Sequence, residues 1–377
     1  MSSSTLRVVA IGSTGRGDYG HSLGETFLHF DNTEMVAVAD EDDAGRAAAA
    51  ERMQAQRQYA DYREMLEKER PDIVTICPKW TDRRRDMMLR AIDAGAKGIF
   101  CEKPFAQTLA DADAMLEACE RNGVRVAVPH RRAAAHEMRL KEMVDAGEIG
   151  EVRVMRGHGK ADHRAGSLDF MILGTHILDG MRYVAGSEVV WVHGHITQDG
   201  RPVTKEDIHE GDEGVGLLAG NRVAAYYVFE NGITAHYESM QGYPDDKDDH
   251  NSYLGFEVYG TKGMLSVRNE PGGELYLCRH DLWIPDAERR PWEKIEIPEW
   301  DNSTSSASTM GSNLLIVGEL LAAMDEDREV RGVPSGHDAR AAMEMVVGAH
   351  LSSRRGERVE FPVTERQNPY VVWQGEG

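Results

Sequence analysis

The chain has 377 residues, 41% of them apolar, with charge scattered rather than blocked. That describes a folded protein large enough for two hydrophobic cores, not a disordered one. Its 64 Asp and Glu outnumber its 43 Lys and Arg, giving a formal charge of −21; such a surface repels phosphate backbones and anionic membranes and argues against both as partners. No uninterrupted apolar run reaches the roughly 18–20 residues of a bilayer span, and the N-terminus carries no secretory pattern. Four cysteines without CxxC spacing (Cys77, Cys101, Cys119, Cys278) read as reduced and structural. A cytoplasmic protein is expected.

A β-rich run over residues 6–11 ends at a glycine cluster, and further strand-like runs cover 35–39, 73–77, 98–101 and 124–128. Helical patterns lie between them: the alanine-rich stretch 44–56, and a stretch whose Leu109, Ala112, Leu116 and Cys119 share one face. Apolar strands alternating with amphipathic helices predict an α/β domain over residues 1–129, its doubly wound parallel sheet covered on both sides. The pattern then changes. A helix over 136–145 ends at Gly147, a C-capping glycine. Strand patterns follow with no helix between them. Residues 223–229 and 233–238 flank Asn231-Gly232, a hairpin signal, and 256–259 and 264–267 flank a second turn at Gly260-Thr261-Lys262-Gly263. In the second strand Ile233, Ala235 and Tyr237 alternate with Thr234, His236 and Glu238, so one face is polar. Residues 303–308 read as a serine-rich loop. Two late helices carry the stripes Leu314, Val317, Leu321, Met324 and Ala342, Met345, Val346, Ala349. Residues 130–377 are therefore expected to form an α+β domain on a large, mostly antiparallel open sheet. Its uncovered face favours a homodimer or homotetramer.

Gly12-Ser13-Thr14-Gly15-Arg16-Gly17 follows the first strand and precedes a helical pattern containing Leu23 and Phe27. Glycines there permit a tight turn and close approach to a pyrophosphate at a helix N-terminus, the Rossmann arrangement. Thr14 stands where GxGxxG has its middle glycine, and as a bare loop the run is equally a structural turn. Asp40 strengthens the nucleotide reading: it lies 23 residues beyond Gly17 at the end of the second strand, placed to accept ribose hydroxyls. Glu41 and Asp42 follow, and the next basic residue is Arg46. Three acids repel a 2′-phosphate, so NAD is expected rather than NADP.

Cys101-Glu102-Lys103-Pro104 ends the fourth strand, on the side of a doubly wound sheet where ligands bind. Beside an oxidised nicotinamide and away from bulk water, a lysine loses basicity and suits proton transfer near neutral pH. Elsewhere, a strand-end lysine is merely a solvated charge.

On these residues the chain resembles the glucose–fructose oxidoreductase and inositol dehydrogenase (Gfo/Idh/MocA) family. The resemblance runs through Thr75-Ile76-Cys77-Pro78, through Ala94-Gly95-Ala96-Lys97 into Glu102-Lys103-Pro104, and through Gly147-Glu148-Ile149-Gly150-Glu151-Val152. It continues in Ser335-Gly336-His337-Asp338-Ala339-Arg340 and Gly356-Glu357-Arg358-Val359-Glu360-Phe361-Pro362, and so covers nearly the whole chain. It implies an N-terminal Rossmann domain and a substrate domain whose open sheet forms a dimer interface. It also implies a cis Lys103–Pro104 peptide and NAD(P)-dependent hydride transfer at a sugar or polyol carbon. By this resemblance Cys77, Pro78, Glu102, Lys103 and His130 join the glycine loop and Asp40 at the cofactor. Lys103 and His176 are catalytic, and Asp179 meets the substrate.

Three positions depart from the family pattern. Its second signature places an Asp four residues before a His; here Ile172 precedes His176, and an aliphatic side chain cannot orient or charge-balance an imidazole. Asp82 stands where a histidine commonly follows the strand-end proline, and Pro129-His130-Arg131-Arg132 stands where an asparagine is usual. Asp162 or Asp169 could supply the missing carboxylate, with His163 beside it, and Arg131, Arg132 or Arg164 could hold a hydroxyl-rich or anionic substrate. The plain alternative is a solvated loop with ordinary ion pairs. The altered histidine signature also keeps open a redox-neutral, NAD-dependent glycoside hydrolase working through transient C3 oxidation of the sugar. Asp245-Asp246-Lys247-Asp248-Asp249-His250 lacks the spacing of a cation-binding loop, so no metal is expected.

Overall fold

The computed structural model describes residues 5–240, 254–269, 273–280, 291–298, 300–301 and 303–376. The chain divides into two compact units. Unit 1 contains Met1–Pro129, Asp212–Gly216 and Thr309–Arg340; unit 2 contains His130–Gly211, Leu217–Ser308 and Ala341–Gly377. The segments Asp212–Gly216 and Thr309–Arg340, expected in the second domain, thus pack in the first.

Unit 1 is built on six parallel strands: β1 (Leu6–Ile11), β2 (Thr33–Ala39), β3 (Arg57–Tyr59), β4 (Ile73–Ile76), β5 (Gly98–Cys101) and β6 (Arg125–Ala127). They lie in the order β3-β2-β1-β4-β5-β6, so the strand order reverses between β1 and β4. Val8 to Ile11, Ile73, Val74, Ile76 and the β5 residues Ile99 to Cys101 are wholly buried, as apolar runs covered on both faces must be. Connecting helices are α1 (Asp43–Arg52), α2 (Tyr62–Glu69), α3 (Arg84–Asp93) and α4 (Leu109–Asn122). Asp42 and Thr108 cap α1 and α4 through their side-chain oxygens. The edge strand β3 escapes sequence reading because three residues, Arg-Gln-Tyr, carry no apolar pattern.

The helix expected after the glycine loop does not form there. Residues 12–24 make successive turns, and only a short 3₁₀ segment, Glu25–His29, follows. Gly15, Gly17, Asp18, Gly20 and Ser22 all have positive φ, a backbone state no right-handed helix accepts. Five glycines in thirteen residues outweigh the apolar spacing of Leu23 and Phe27, which are buried nonetheless.

Unit 2 contains α5 (Ala135–Asp145), β7 (Val152–His158), α6 (Ser167–Ile172), α7 (Gly174–Ala185) and β8 (Val189–Gln198). Then come β9 (Arg222–Phe229), β10 (Thr234–Met240), β11 (Gly255–Gly260), β12 (Met264–Arg268), β13 (Glu274–Cys278) and β14 (Glu293–Lys294). Two long helices, α8 (Ser305–Asp325), which packs in unit 1 from Thr309 on, and α9 (Gly336–Arg355), which enters unit 2 at Ala341, precede the last strand, β15 (Val359–Glu360). The ten-stranded sheet runs β14-β13-β12-β11-β7-β10-β9-β8-β15, with Arg201–Pro202 added along β8. It is antiparallel except between β7 and β10.

Three expectations are corrected here. Helices α6 and α7 interrupt the strands; in α7 the stretch Gly174 to Met181 is buried all round, its polar residues His176 and Asp179 included. The serine-rich stretch enters α8, capped where Thr304 Oγ1 accepts from the Ala307 N–H at 3.0 Å. Ser306–Asp325 is also apolar and long enough, by length and composition, to cross a bilayer; its Ile316, Val317, Leu320 and Ala323 are wholly buried in the protein.

One face of the unit 2 sheet buries Met155, Val192, Ile196, Tyr227, Ala235 and Tyr237, and the other exposes Arg156, His193, His195, His236 and Glu238. Helix α9 lies on the buried face at β8. There the Gly194 and Ile196 N–H groups donate to the Ser352 and Ser353 hydroxyls, each at 2.9 Å. A Cβ at Gly194 would lie 2.1 Å from the Ala349 carbonyl oxygen, a backbone atom that cannot swing aside. Gly194→Ala should therefore destabilise the protein by about 1–3 kcal/mol, the usual effect of overpacking. The urea midpoint is the measurement, and an unshifted midpoint would show that α9 is free to move off β8.

Candidate active site

In unit 1 the glycine loop is shaped by its own chain. A Cβ at Gly12 would lie 2.3 Å from the ring of Tyr19, whose hydroxyl donates to Ala39 O at 3.0 Å. Glycine is required here by a packed ring. The loop then folds on itself: Ser13 N donates to Asp18 O at 3.0 Å, Gly15 N to Asp18 Oδ1 at 2.8 Å, and Arg16 N to Ser13 O at 3.0 Å. Gly17, with φ of 88°, leaves no room for a side chain because Lys79 lies against it. Arg16 pairs with Asp82 at 2.6 Å and lies over the Trp80 ring. The acid at the family's usual histidine position thus anchors the loop arginine.

Asp40 is 3% exposed, and its carboxylate accepts from Thr14 N (2.9 Å), Thr14 Oγ1 (2.8 Å) and Asp42 N (3.0 Å). The acceptor expected to meet a ribose is therefore turned inward and ties the loop to the end of β2. Beside it, Gly12, Ser13, Glu41, Tyr62, Arg83 and Met87 line a cavity at the ends of β1 and β2. Arg83 and Glu41 pair across it at 2.8 Å. The tertiary fold thus adds a cation from the N-terminal end of α3 to acids whose nearest basic residue in sequence, Arg46, donates to the Asp40 carbonyl at 2.7 Å. Tyr62 and Met87 are buried at the cavity floor, and at its rim Glu41 is an acceptor paired with Arg83 in a neutral pair.

The other end of the unit 1 site lies after β4 and β5. Lys103 is 4% exposed and its peptide bond to Pro104 is cis. Glu102 is fully buried, with His21 Nδ1 3.0 Å from its carboxylate. Burial pushes the Glu102 carboxyl up, but His21, Lys103 and Arg84 outweigh it and hold the group below the usual carboxylate range. Burial raises the thiols of Cys77 and Cys101, which suits them to packing rather than to reaction. Beneath this segment lies Arg84, wholly buried. Its guanidinium donates to the carbonyls of Glu102, Pro104 (2.9 Å) and Pro78 (2.5 Å). Sequence reading overlooked Arg84 within Arg83-Arg84-Arg85. The usable signal is its helical spacing to Met87, Met88, Ala91 and Ile92, which puts it on the buried stripe of α3.

In unit 2, His176 sits on α7 and is 6% exposed. The ring of His130 packs against it edge-on, with centroids 5.3 Å apart. His130 Nδ1 is 3.5 Å from Asp179 Oδ2, and Arg132 Nη1 is 3.3 Å from Asp179 Oδ1. Asp179 lies one turn after His176 on α7, so both occupy one face of the helix. The structure thus joins Arg132, Asp179, His130 and His176. His130, expected at the cofactor, belongs to this group in unit 2. Arg131 donates to the Asn269 carbonyl.

The other candidates are placed differently. Ile172 is buried in the core at the end of α6. Asp169 is wholly buried, accepts from the Ser239 hydroxyl, and is raised by burial. Asp162 is engaged by Arg164, whose Nε donates to both of its oxygens at 3.1 Å. Burial raises the Asp162 carboxyl, but the Arg164 bonds dominate and lower it. The His163 side chain is 82% exposed and 4.0 Å from Asp162, which places it in solvent. The run Asp245 to His250 lies outside the described residues; among the described residues no cluster of three or more His, Cys, Asp or Glu is arranged to hold a metal.

Glu137, 1% exposed, is pushed up to about 8 by burial, with Asp179 adding to the rise and Arg131 opposing it. A carboxyl raised in the folded state stabilises the fold fully below its unfolded value of 4.5, and that stability is lost as pH rises through about 8. Relative to Glu137→Gln, the wild type should lose on the order of 2–4 kcal/mol across that range. Parallel urea titrations of the two proteins from pH 5 to 9 check this; a constant difference would show that Glu137 is ionised throughout.

Residues 6–130 match the model of an oxidoreductase family with an NAD-binding Rossmann fold, and residues 138–266 match the GFO/IDH/MocA C-terminal domain. The myo-inositol 2-dehydrogenase of Thermotoga maritima is 28% identical over 270 residues, 69% of this chain and 75% of that protein. The D-apiose dehydrogenase of Paraburkholderia graminis is 25% identical, over 96% of this chain and 92% of its own. A solved oxidoreductase from Agrobacterium radiobacter, in complex with NAD+, L-tartaric acid and magnesium, shares the fold with a TM-score of 0.71 at 18% identity. That match covers 95% of this chain and 98% of the other. A levoglucosan dehydrogenase in complex with NADH and levoglucosan gives 0.72 at 21% identity, over 95% and 99%. The parallel sheet with its strand-end Lys103, the mixed sheet that follows and both family matches agree: this chain belongs to the GFO/IDH/MocA family of NAD-binding oxidoreductases.

Proposed function

We propose that the protein is a dehydrogenase that moves a hydride between a sugar or polyol carbinol and NAD. The observation that carries this reading is Lys103: a lysine buried at the C-terminal end of β5, beside a buried, ionised Glu102. Glu102 offsets the cost of burying this cation, and the pair stands at the edge where doubly wound sheets bind ligands. The dehydrogenases of myo-inositol, D-apiose and levoglucosan among its relatives support a ring or chain rich in hydroxyls as substrate.

In this reading Gly12, Ser13, Glu41 and Arg83 hold the adenosine half of NAD, and the Glu102–Lys103 segment lies at its nicotinamide end. NAD, when bound, supplies the hydride acceptor. Lys103 Nζ takes the hydroxyl proton as the carbinol carbon loses its hydride. His176 holds a substrate hydroxyl, and Asp179 one turn on balances the charge of its imidazole in place of the carboxylate absent at Ile172. Arg131 and Arg132 act through Asn269 and Asp179 as walls of the group. The same reading assigns self-association to the exposed face of the unit 2 sheet.

The test is a screen of purified protein with NAD against myo-inositol, D-apiose, levoglucosan and aryl glycosides, following NADH absorbance and aglycone release together. NADH formed from a free polyol is the expected result; aglycone release without NADH would replace this reading with a redox-neutral glycosidase. Lys103→Ala should lower kcat by about 10²–10⁴-fold, the range for a lost general base, while calorimetry finds NAD still bound. Glu41→Gln frees Arg83 for a 2′-phosphate, so the preference for NAD over NADP should fall by about tenfold. An unchanged ratio of kcat/KM values would place the ribose elsewhere.

A further inference from the structure

We propose that Arg84 is the positioning residue of this enzyme: its planar guanidinium fixes the backbone on both sides of Lys103 and ties it to the loop after β4. The inference rests on the reading of Lys103 as the proton acceptor.

Three neighbouring arginines open α3, and their fates differ. Arg83 pairs with Glu41 and Arg85 with Asp111, both on exposed side chains, whereas Arg84 is 0% exposed. Taking a guanidinium out of water is costly, and an apolar side chain of similar volume would fill the same space more cheaply. What an apolar residue cannot supply is a fork of donors. Nη1 donates to the carbonyls of Glu102 and Pro104, the residues immediately before and after Lys103. Nη2 donates to Pro78 O, with Lys79 O and Trp80 O further off at 3.4 and 3.5 Å. These carbonyls lie beyond the last paired residues of β4 and β5, where the parallel ladder no longer provides N–H partners. One rigid group therefore sets the peptide plane that leads into Lys103 and the one that leaves Pro104 and, with them, the direction in which the Lys103 side chain leaves the chain. The arrangement also brings a fixed positive charge to Glu102, which His21 and Lys103 already attend.

A lysine at position 84 keeps the charge but is a point donor on a shorter reach, and a glutamine keeps donors without charge. Arg84→Lys separates positioning from simple charge balance. The first readout needs neither substrate nor cofactor: trace acetylation with acetic anhydride, scored by mass spectrometry at the Lys103 peptide against the other lysines of the same sample. The second is kcat and KM for whichever polyol yields NADH, with enzyme counted by calorimetric NAD titration. Positioning predicts that Lys103 acetylation changes by about tenfold while other lysines hold, and that kcat falls about 100-fold with KM little altered, as misplacement by about an ångström does. A folded Arg84→Lys protein with wild-type acetylation and wild-type kcat would overturn the proposal and leave Arg84 a stabilising residue only. If Arg84→Lys does not fold, Arg84→Gln carries the same comparison. Changed acetylation in a protein whose wild type oxidises no polyol would uphold the positioning of Lys103 and reject the dehydrogenase reading instead.

Discussion

The ends of parallel strands present carbonyl groups that the sheet itself does not satisfy, and in unit 1 this constraint is met by one buried guanidinium. Arg84 bridges the segments after β4 and β5, which hold Pro78 and Glu102-Lys103-Pro104. Those segments lie beside the point, between β1 and β4, where a doubly wound sheet binds ligands. The geometry of that end of the site thus depends on a side chain at the start of α3. The helix can deliver it because its apolar stripe, Met87, Met88, Ala91 and Ile92, seats the first turn against the sheet.

Buried charges elsewhere follow the same rule of compensation. Glu102 is balanced by His21, Lys103 and Arg84, so it stays ionised although no part of it reaches solvent. Asp40 is balanced by the Thr14 and Asp42 donors, so it acts as a clasp for the glycine loop. In unit 2 Asp179 stands between Arg132 and His130. At Glu137 burial, with Asp179 adding to it, outweighs Arg131, Asn269 and Arg132 and favours the protonated carboxyl.

The departures from the family pattern each take a place in the packing of their own unit. Asp82 in place of a histidine pairs with Arg16 of the loop, and His130 in place of an asparagine packs on His176 and faces Asp179. Ile172 is part of the core at the end of α6. Asp179, one turn after His176 on the same helix face, faces His130 and Arg132.

The sequence by itself determined the layers. Wholly apolar runs meant strands covered on both faces, and Asn231-Gly232 meant a hairpin. The alternation of Ala235 and Tyr237 with His236 and Glu238 meant a sheet with one polar side. These features are local, because burial imposes a period on a few consecutive residues. Lys103 was legible for a related reason: a strand ending in Glu-Lys-Pro places it at the ligand edge whatever the rest of the chain does. Tertiary structure alone decided the pairings. It turned Asp40 toward Thr14, carried Arg83 to Glu41, returned Asp212–Gly216 and Thr309–Arg340 to unit 1, and set His130 against Asp179. It also buried the polar face of α7, with His176 and Asp179 on it, which no periodicity reveals. A side chain's period records only whether it is buried; which donor meets which acceptor depends on residues distant along the chain, and the packed fold alone selects among them.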